Sequence, residues 1–307
     1  MPTILFLGTP QFAVPILEEL HQHFQIIGVV TQPDRPVGRK LVLTPPPVKT
    51  KALELGLNVY QPEQAAEIAD MAHESFDFLI TAAYGEYLPS KVLQLPTKDA
   101  LNVHPSLLPQ YRGATPMQSA LLNGDQKTGV SIIRMVKEMD AGELFAQHEL
   151  DINPEWKYPE LEQACSQLGA ELMTEVISKY DSITPVPQST DHITHCTKIT
   201  KEMGKIDFTQ ETAQQIHNKL RAFTPWPGVY TLFKDQKLSL LEFTTNYHLQ
   251  PTNSPGEIFR QDNHILIVCK EGSITLQKVQ LAGKNPTDIK SFLNGHPDFI
   301  GTQLHKR

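Results

Sequence analysis

Residues 3–30 read TILFLGTPQFAVPILEELHQHFQIIGVV. Thr3–Leu7 is a short apolar run that stops at Gly8. From Phe12 to Leu20 the apolar residues Phe12, Val14, Ile16, Leu17 and Leu20 recur at helical spacing. Gln25–Val30 is a second apolar run, rich in β-branched residues. A strand apolar on both faces, a helix and a second such strand describe a βαβ unit in a parallel sheet. Outward from this unit, Phe76–Ala83, Ala100–Val103 and Val130–Val136 repeat the strand pattern, and Ala65–His73 and Ala114–Leu122 the helical one. Trp156–Tyr180 predicts a long helix, with Leu161, Cys165, Leu168, Leu172 and Val176 along one stripe. The expected fold is α/β: a doubly wound, mostly parallel, Rossmann-like sheet.

The pattern changes after this helix. Ser182–Lys198, SITPVPQSTDHITHCTK, is polar, holds two prolines and shows no helical period, so it reads as a linker. A short helix is expected at Ala213–Ala222, then strand-like runs at Val229–Phe233, Leu238–Phe243, His264–Val268 and Ser273–Val279. Short strands separated by turn signals suggest a small OB-like β-barrel. The expected organisation is a first domain at 1–181, a linker at 182–204 and a C-terminal barrel at 205–307.

The first βα turn excludes the commonest tenant of such a sheet. A dinucleotide fingerprint needs three glycines there, followed by a carboxylate after the second strand. The chain has Gly8-Thr9-Pro10-Gln11-Phe12-Ala13, with one glycine, and Thr31-Gln32-Pro33 where the carboxylate belongs.

Composition narrows the class further. At 307 residues, 40% hydrophobic and 20% charged, the chain is neither disordered nor a coiled coil. No apolar stretch approaches the roughly 18 residues that read as a transmembrane helix. The N-terminus lacks the positive region and cleavage site of a secretory signal. Cys165, Cys196 and Cys269 lie 31 and 73 residues apart, which fits neither a zinc knuckle nor a disulfide framework. A soluble protein of a reducing compartment, the cytoplasm, is expected. The net charge of −7 is uneven: residues 191–307 carry +3 and the rest −10. That balance is compatible with a polyanionic partner touching part of the surface.

The chemistry concentrates in Leu101–Gln118, LNVHPSLLPQYRGATPMQ. Asn102 and His104 are two apart at the end of an apolar strand, so they share one face. In a doubly wound sheet that end opens on the ligand crevice. Two prolines and Gly113 give the following loop a defined shape. The loop leaving Val130–Val136, Lys137-Glu138-Met139-Asp140-Ala141-Gly142, is expected to bring Asp140 to the same edge. An amide, an imidazole and a carboxylate in one crevice supply an oxyanion donor, a base and a group that tunes it.

The string NVHPSLLPQYRGATPMQ, with the Asp of MDAGE 36 residues after His104, resembles the signature of folate-dependent formyltransferases. FLGTPQFAVP, TQPDRPVGRK (31–40), PPPVK (45–49), KITKEMGKIDF (198–208), IHNKLRAFTPWPGVY (216–230) and LAGK (281–284) are similar to the branch acting on initiator methionyl-tRNA. Three positions depart from the pattern: Pro105 where glycine is common, Tyr111 where some relatives have tryptophan, and RKLVLT in place of a longer basic run. The resemblance implies 10-formyltetrahydrofolate as co-substrate, initiator methionyl-tRNA as acceptor, no metal, no membrane and a monomer. It implies oxyanion donation by Asn102 and His104, and orientation of the imidazole with proton relay by Asp140. It gives Ser106, Leu107, Leu108 and Pro109 to the folate, beside the strand Phe78–Tyr84, and turns Met117 and Gln118 to the acceptor methionine. Arg35, Arg39 and Lys40 would enter the acceptor end of the tRNA from the loop Thr31–Lys49. There Pro33, Pro36, Pro45, Pro46 and Pro47 are expected to prevent helix or strand. Lys201, Lys205, Lys219, Lys284 and Lys290 are the candidate phosphate contacts of the C-terminal domain. The rival readings are a glycinamide-ribonucleotide or nucleotide-sugar formyltransferase, and a non-catalytic RNA-binding module on the same scaffold.

Overall fold

The computed structural model describes residues 1–38, 41–71, 74–246 and 254–304. They fall into two compact units, one of residues 1–117, 126–153 and 160–197, the other of 118–125, 154–159 and 198–307.

The first unit is built on a seven-stranded sheet. Its strands are β1 (Thr3–Gly8), β2 (Gln25–Val30), β3 (Val59–Tyr60), β4 (Phe78–Ala82), β5 (Asp99–His104), β6 (Lys127–Arg134) and β7 (Leu144–Asp151). The order is β7-β6-β5-β4-β1-β2-β3. Pairing is parallel from β5 through β3, and antiparallel for β5–β6 and β6–β7. Every residue of β4 is buried, as the unbroken apolar run FLITA requires of a central strand. Helix α1 (Ala13–His23) sinks Ala13, Val14, Ile16, Leu17 and Leu20 into the core, the stripe read from the sequence. Gly8 allows this packing, because a Cβ there would stand 2.8 Å from that of Ala13. The lone glycine of the first turn thus serves helix–strand contact. Helix α2 (Pro47–Glu54) follows the proline-rich stretch. The long helix α3 (Tyr158–Lys179) closes on the strands at Gly169, where a Cβ would meet Val103 at 2.6 Å. It therefore backs the strand that carries Asn102 and His104.

Two expectations are corrected in this unit. The proline-rich loop does form regular structure. Arg35–Val37 pairs with Val42–Thr44 in an antiparallel hairpin, and α2 begins on Pro47. Proline is tolerated in an edge strand and in the first helical turn, where no backbone donor is lost. The strand at Val130–Val136 ends at Arg134 and runs against β5, Arg134 lying beside Leu101 and Ser131 beside His104. Its exit therefore lies at the end of β5 opposite to His104. Ala72 and His73, the end of the helix expected at 65–73, lie outside the described residues; Ala65–Glu67 is a 3₁₀ turn and Ile68–Met71 is helical.

In the segment read as a linker, Leu144 and Val186 form a bridge, and His195–Cys196 pairs in parallel with Arg112–Gly113.

The second unit has helix α4 (Ala213–Phe223) and the strands β8 (Val229–Phe233), β9 (Gln236–Asn246), β10 (Ile258–Gln261), β11 (His264–Val268) and β12 (Ser273–Leu281). Thr212 and Gln215 close a capping box on α4, and Ala213, Ile216, Leu220 and Phe223 are buried. The sheet is antiparallel in the order β8-β9-β12-β11-β10, with Thr287–Asp288 added to β12. Among the described residues no ladder joins β8 to β10. No described helix is long and apolar enough to cross a membrane.

Candidate active site

The carboxyl end of β5 sets the first two groups. Asn102 and His104 share a face, and on the neighbouring strand the Thr81 hydroxyl donates to Asn102 Oδ1 at 2.8 Å. With its oxygen engaged, Asn102 keeps both Nδ2 hydrogens, which make no hydrogen bond among the described residues. His104 is 3% exposed. Its Nε2 lies 3.0 Å from the carbonyl oxygen of Tyr111. A carbonyl only accepts, so Nε2 carries the hydrogen, and in a neutral ring Nδ1 is the acceptor. Burial pushes the His104 pKa below its ordinary 6.5, against the charge of Asp140 and the Tyr111 carbonyl; Arg112 adds to the lowering.

Asp140 reaches this pair by a longer route than expected. The chain leaves β6 at the far end of β5, where the Met135 amide donates to the Ala100 carbonyl, and doubles back. Asp140 Oδ1 then stands 3.7 Å from His104 Nδ1, and Oδ2 accepts the Gly113 amide at 2.8 Å. The return demands unusual backbone. Asp140 sits at φ 51°, a left-handed value that costs roughly 1–2 kcal/mol outside glycine. At Gly142 a Cβ would fall 1.8 Å from the Arg134 carbonyl oxygen, so only glycine fits. Two groups of one strand and a carboxylate 36 residues beyond His104 thus lie at one end of β5.

Ser106–Pro109 lies beside them but spends its polar groups internally. Ser106 Oγ donates to the Gln110 carbonyl, Ser131 Oγ donates to the Ser106 carbonyl and accepts the Leu108 amide, and Gln147 donates to the Leu108 carbonyl. Leu108 is buried, and Leu107 lies against Gly129, whose Cβ would meet its side chain at 2.5 Å. Met117 is buried and Gln118 half-buried. At the ends of β1 and β2, Thr9 Oγ1 and Gln32 Nε2 both donate to the Tyr84 carbonyl. Burial, with Glu86 and Glu67 adding, pushes the Tyr84 phenol to about 12, so it stays protonated.

Of the basic-loop residues, Arg35 is exposed on the hairpin, and Arg39 and Lys40 lie outside the described residues. Lys49 is tied to Asp34 and Gln61. In the second unit Lys201, Lys284 and Lys290 are exposed, Lys205 is half-buried, and Lys219 is paired with Glu211. Among the described residues no group of three or more His, Cys, Asp or Glu side chains is placed to hold a metal ion.

Residues 3–177 match the formyl transferase family, and residues 198–297 match the formyl transferase C-terminal domain. The chain belongs to the formyl transferase family. A methionyl-tRNA formyltransferase of Listeria monocytogenes is 41% identical over 96% of this chain and 96% of its own. One of Enterococcus faecalis is 40% identical over the same shares. Among solved structures, an N-formyltransferase of Helicobacter canadensis, in complex with folinic acid and dTDP-3-aminofucose, superposes with a TM-score of 0.68. It is 18% identical, over 90% of this chain and 99% of that one. HypX of Aquifex aeolicus superposes with a TM-score of 0.66 at 16% identity over 97% of this chain, which spans 48% of HypX. At those identities the two structures share the fold.

Several parts of this candidate site leave no signal in the sequence. Thr81 is one threonine within an apolar strand, and only the β4–β5 register sets it against Asn102. The Tyr111 carbonyl and the Gly113 amide act through the backbone, which a side-chain pattern does not reveal. Gly113 does leave a trace. Its φ is 125°, and a Cβ there would stand 2.2 Å from the Cys196 carbonyl oxygen, so both conformation and space require glycine.

Proposed function

We propose that this chain transfers the formyl group of 10-formyltetrahydrofolate to the α-amino group of methionine esterified to initiator tRNA, and so supports translation initiation. The observation that carries the reading is the meeting of Asn102, His104 and Asp140 at the end of β5, in a chain about 40% identical to methionyl-tRNA formyltransferases along nearly its whole length.

The donor set fits a formyl carbonyl. 10-Formyltetrahydrofolate supplies the carbon when bound, with Ser106, Leu107, Leu108 and Pro109 as its proposed neighbours. Asn102, its oxygen held by Thr81, turns its N–H donors to the carbonyl oxygen as that atom gains charge. One such donor is worth about 3 kcal/mol, or 10²–10³ in rate. A free α-amine has a pKa near 8, and esterification of its carboxylate lowers it, so the attacking nitrogen is largely neutral at pH 7. Nucleophilic attack then releases a proton. Neutral His104 offers Nδ1 as acceptor, because Nε2 is committed to the Tyr111 carbonyl. Asp140, 3.7 Å away, stabilises the imidazolium that results, and His104 returns the proton to the departing nitrogen. In this scheme Asn102 is the oxyanion donor and His104 the base, a division narrower than two shared donors.

The acceptor end of the tRNA meets the basic loop through Arg35, Arg39 and Lys40. Lys201, Lys284 and Lys290, exposed and set in the more basic part of the chain, contact its phosphates. Lys219 is set aside, its ammonium being engaged by Glu211. The protein works in the cytoplasm as a monomer.

The test offers the formyl donor with methionyl initiator tRNA, with uncharged tRNA and with amino-sugar nucleotides. Formylation of the methionyl-tRNA alone is expected. Preferential formylation of the sugar nucleotide would move the chain to another branch of the family, and no transfer to any acceptor would favour a non-catalytic module.

A further inference from the structure

The segment read as a plain linker holds a side chain that touches both walls of the site. Gln188 Oε1 accepts from Arg112 Nε at 3.2 Å and Nη2 at 2.7 Å. Its Nε2 donates to the carbonyl oxygens of Asp140 and Gly142, each at 2.8 Å. The amide uses both acceptor sites and both hydrogens, so its orientation is fixed. Turned over, it would face a guanidinium with N–H groups and two carbonyls with an oxygen. The two loops it joins are those that set the distance between His104 and Asp140. One supplies the Tyr111 carbonyl to His104 and the Gly113 amide to Asp140. The other is the turn at which Asp140 holds its left-handed φ, and Gln188 binds both ends of that turn. Thr194 adds to the grip, its hydroxyl accepting the Tyr111 amide and its carbonyl the Arg112 amide.

We propose that Gln188 is a positioning residue for formyl transfer: by clamping the 111–113 loop to the 140–142 turn it sets the Asp140 carboxylate against His104. The connecting segment is then part of the catalytic apparatus, although it touches no reacting atom. The inference rests on the formyl-transfer reading above.

The test is a double-mutant cycle on the full chain with saturating formyl donor and methionyl initiator tRNA, comparing wild type, Gln188→Ala, Asp140→Asn and the double variant. Misplacing a catalytic group by about 1 Å costs up to roughly 100-fold. Gln188→Ala is therefore expected to lower kcat by roughly 10- to 100-fold, with KM for tRNA within about twofold. In the Asp140→Asn background the same substitution should cost less than about threefold, because the group it positions is gone. Equal losses in both backgrounds would mark a general structural role and overturn the proposal, as would a kcat within about threefold of wild type for Gln188→Ala. Should the alanine variant fail to fold, Gln188→Glu serves in its place. It keeps the acceptor for Arg112 but loses both donors to the turn, and the same two outcomes decide. Thr190→Ala, an exposed neighbour, is the control for unchanged activity. A wild-type protein that formylates no aminoacyl-tRNA would sink the underlying reading; an active wild type with an indifferent Gln188 would sink this inference alone.

Discussion

At the end of β5, His104 is 3% exposed and each of its ring nitrogens faces a defined oxygen. Along the hairpin at 35–44, Val37, Leu41, Val42 and Leu43 are 56–71% exposed, and Arg35 is on the surface. One region has its partners built in; along the described part of the other, apolar side chains and Arg35 are exposed. The contrast separates two tasks. Charge stabilisation requires groups fixed before substrate arrives, because reorganisation costs rate. Gripping a polyanion requires reach and exposed cations, and tolerates looser geometry. The three catalytic candidates therefore sit on or against strands, whereas Arg35, a candidate tRNA contact, sits on an exposed strand of the hairpin.

If this division holds, substitutions at the two regions fail in different kinetic constants. The largest effect is expected from Asn102→Ala, which removes an oxyanion donor: kcat should fall by about 10²–10³ with binding of tRNA retained. Steady-state kinetics at saturation would read it. Gly142→Ala should come next. Its Cβ cannot coexist with the Arg134 carbonyl, so the turn must shift and carry Asp140 with it, at a cost of roughly 100-fold in kcat. A kcat near wild type would show that the return path tolerates more than its contacts suggest.

On the other side of the comparison, Arg35→Ala combined with Arg39→Ala should leave kcat nearly intact. KM for methionyl-tRNA should rise by about tenfold, and the slope of log Kd against log salt should fall by about one for each phosphate no longer neutralised. If kcat falls instead, the hairpin takes part in the chemistry and the division collapses. A smaller effect, about fivefold in kcat, is expected from Thr81→Val, which loses one hydrogen bond to Asn102 at constant shape.

The smallest effect concerns stability and pH. His104 has a folded pKa below its unfolded 6.5, so between those values the unfolded chain binds more protons. Stability should decline as pH drops through 6.5 and stop declining on this account once pH is below the folded value. Urea midpoints for wild type and His104→Gln, compared at about pH 7.5 and about pH 5.5, would show a flatter dependence in the variant. An equal decline in both would place the titration elsewhere.

How much of this was legible in the sequence follows from range. The β1–α1–β2 unit, the strands at Val229–Phe233 and His264–Val268 and the long α3 were readable because local periodicity decides them. Asn102 and His104 shared a face because alternation along a strand is local too. The route of Asp140 was not readable. Val130–Val136 looks the same whether it runs with β5 or against it, and only its long-range pairing with β5 reveals the antiparallel choice. Short pieces such as Val59–Tyr60 and Ile258–Gln261 were missed because they hold too few residues to show a period. Prolines misled at 35–47, since the rule against them applies to central strands and helix interiors and these positions are neither. Gln188 sat in a polar stretch whose meaning depends on bonds to residues 46, 48 and 76 positions away.

The most direct test is kcat for formyl transfer to methionyl initiator tRNA by His104→Ala, Asp140→Asn and the double variant. Each single change should cost at least about 100-fold, and the double should be little worse than the more damaging single, as for two residues acting as one unit. All three proteins turning over within about threefold of wild type would contradict the proposed site.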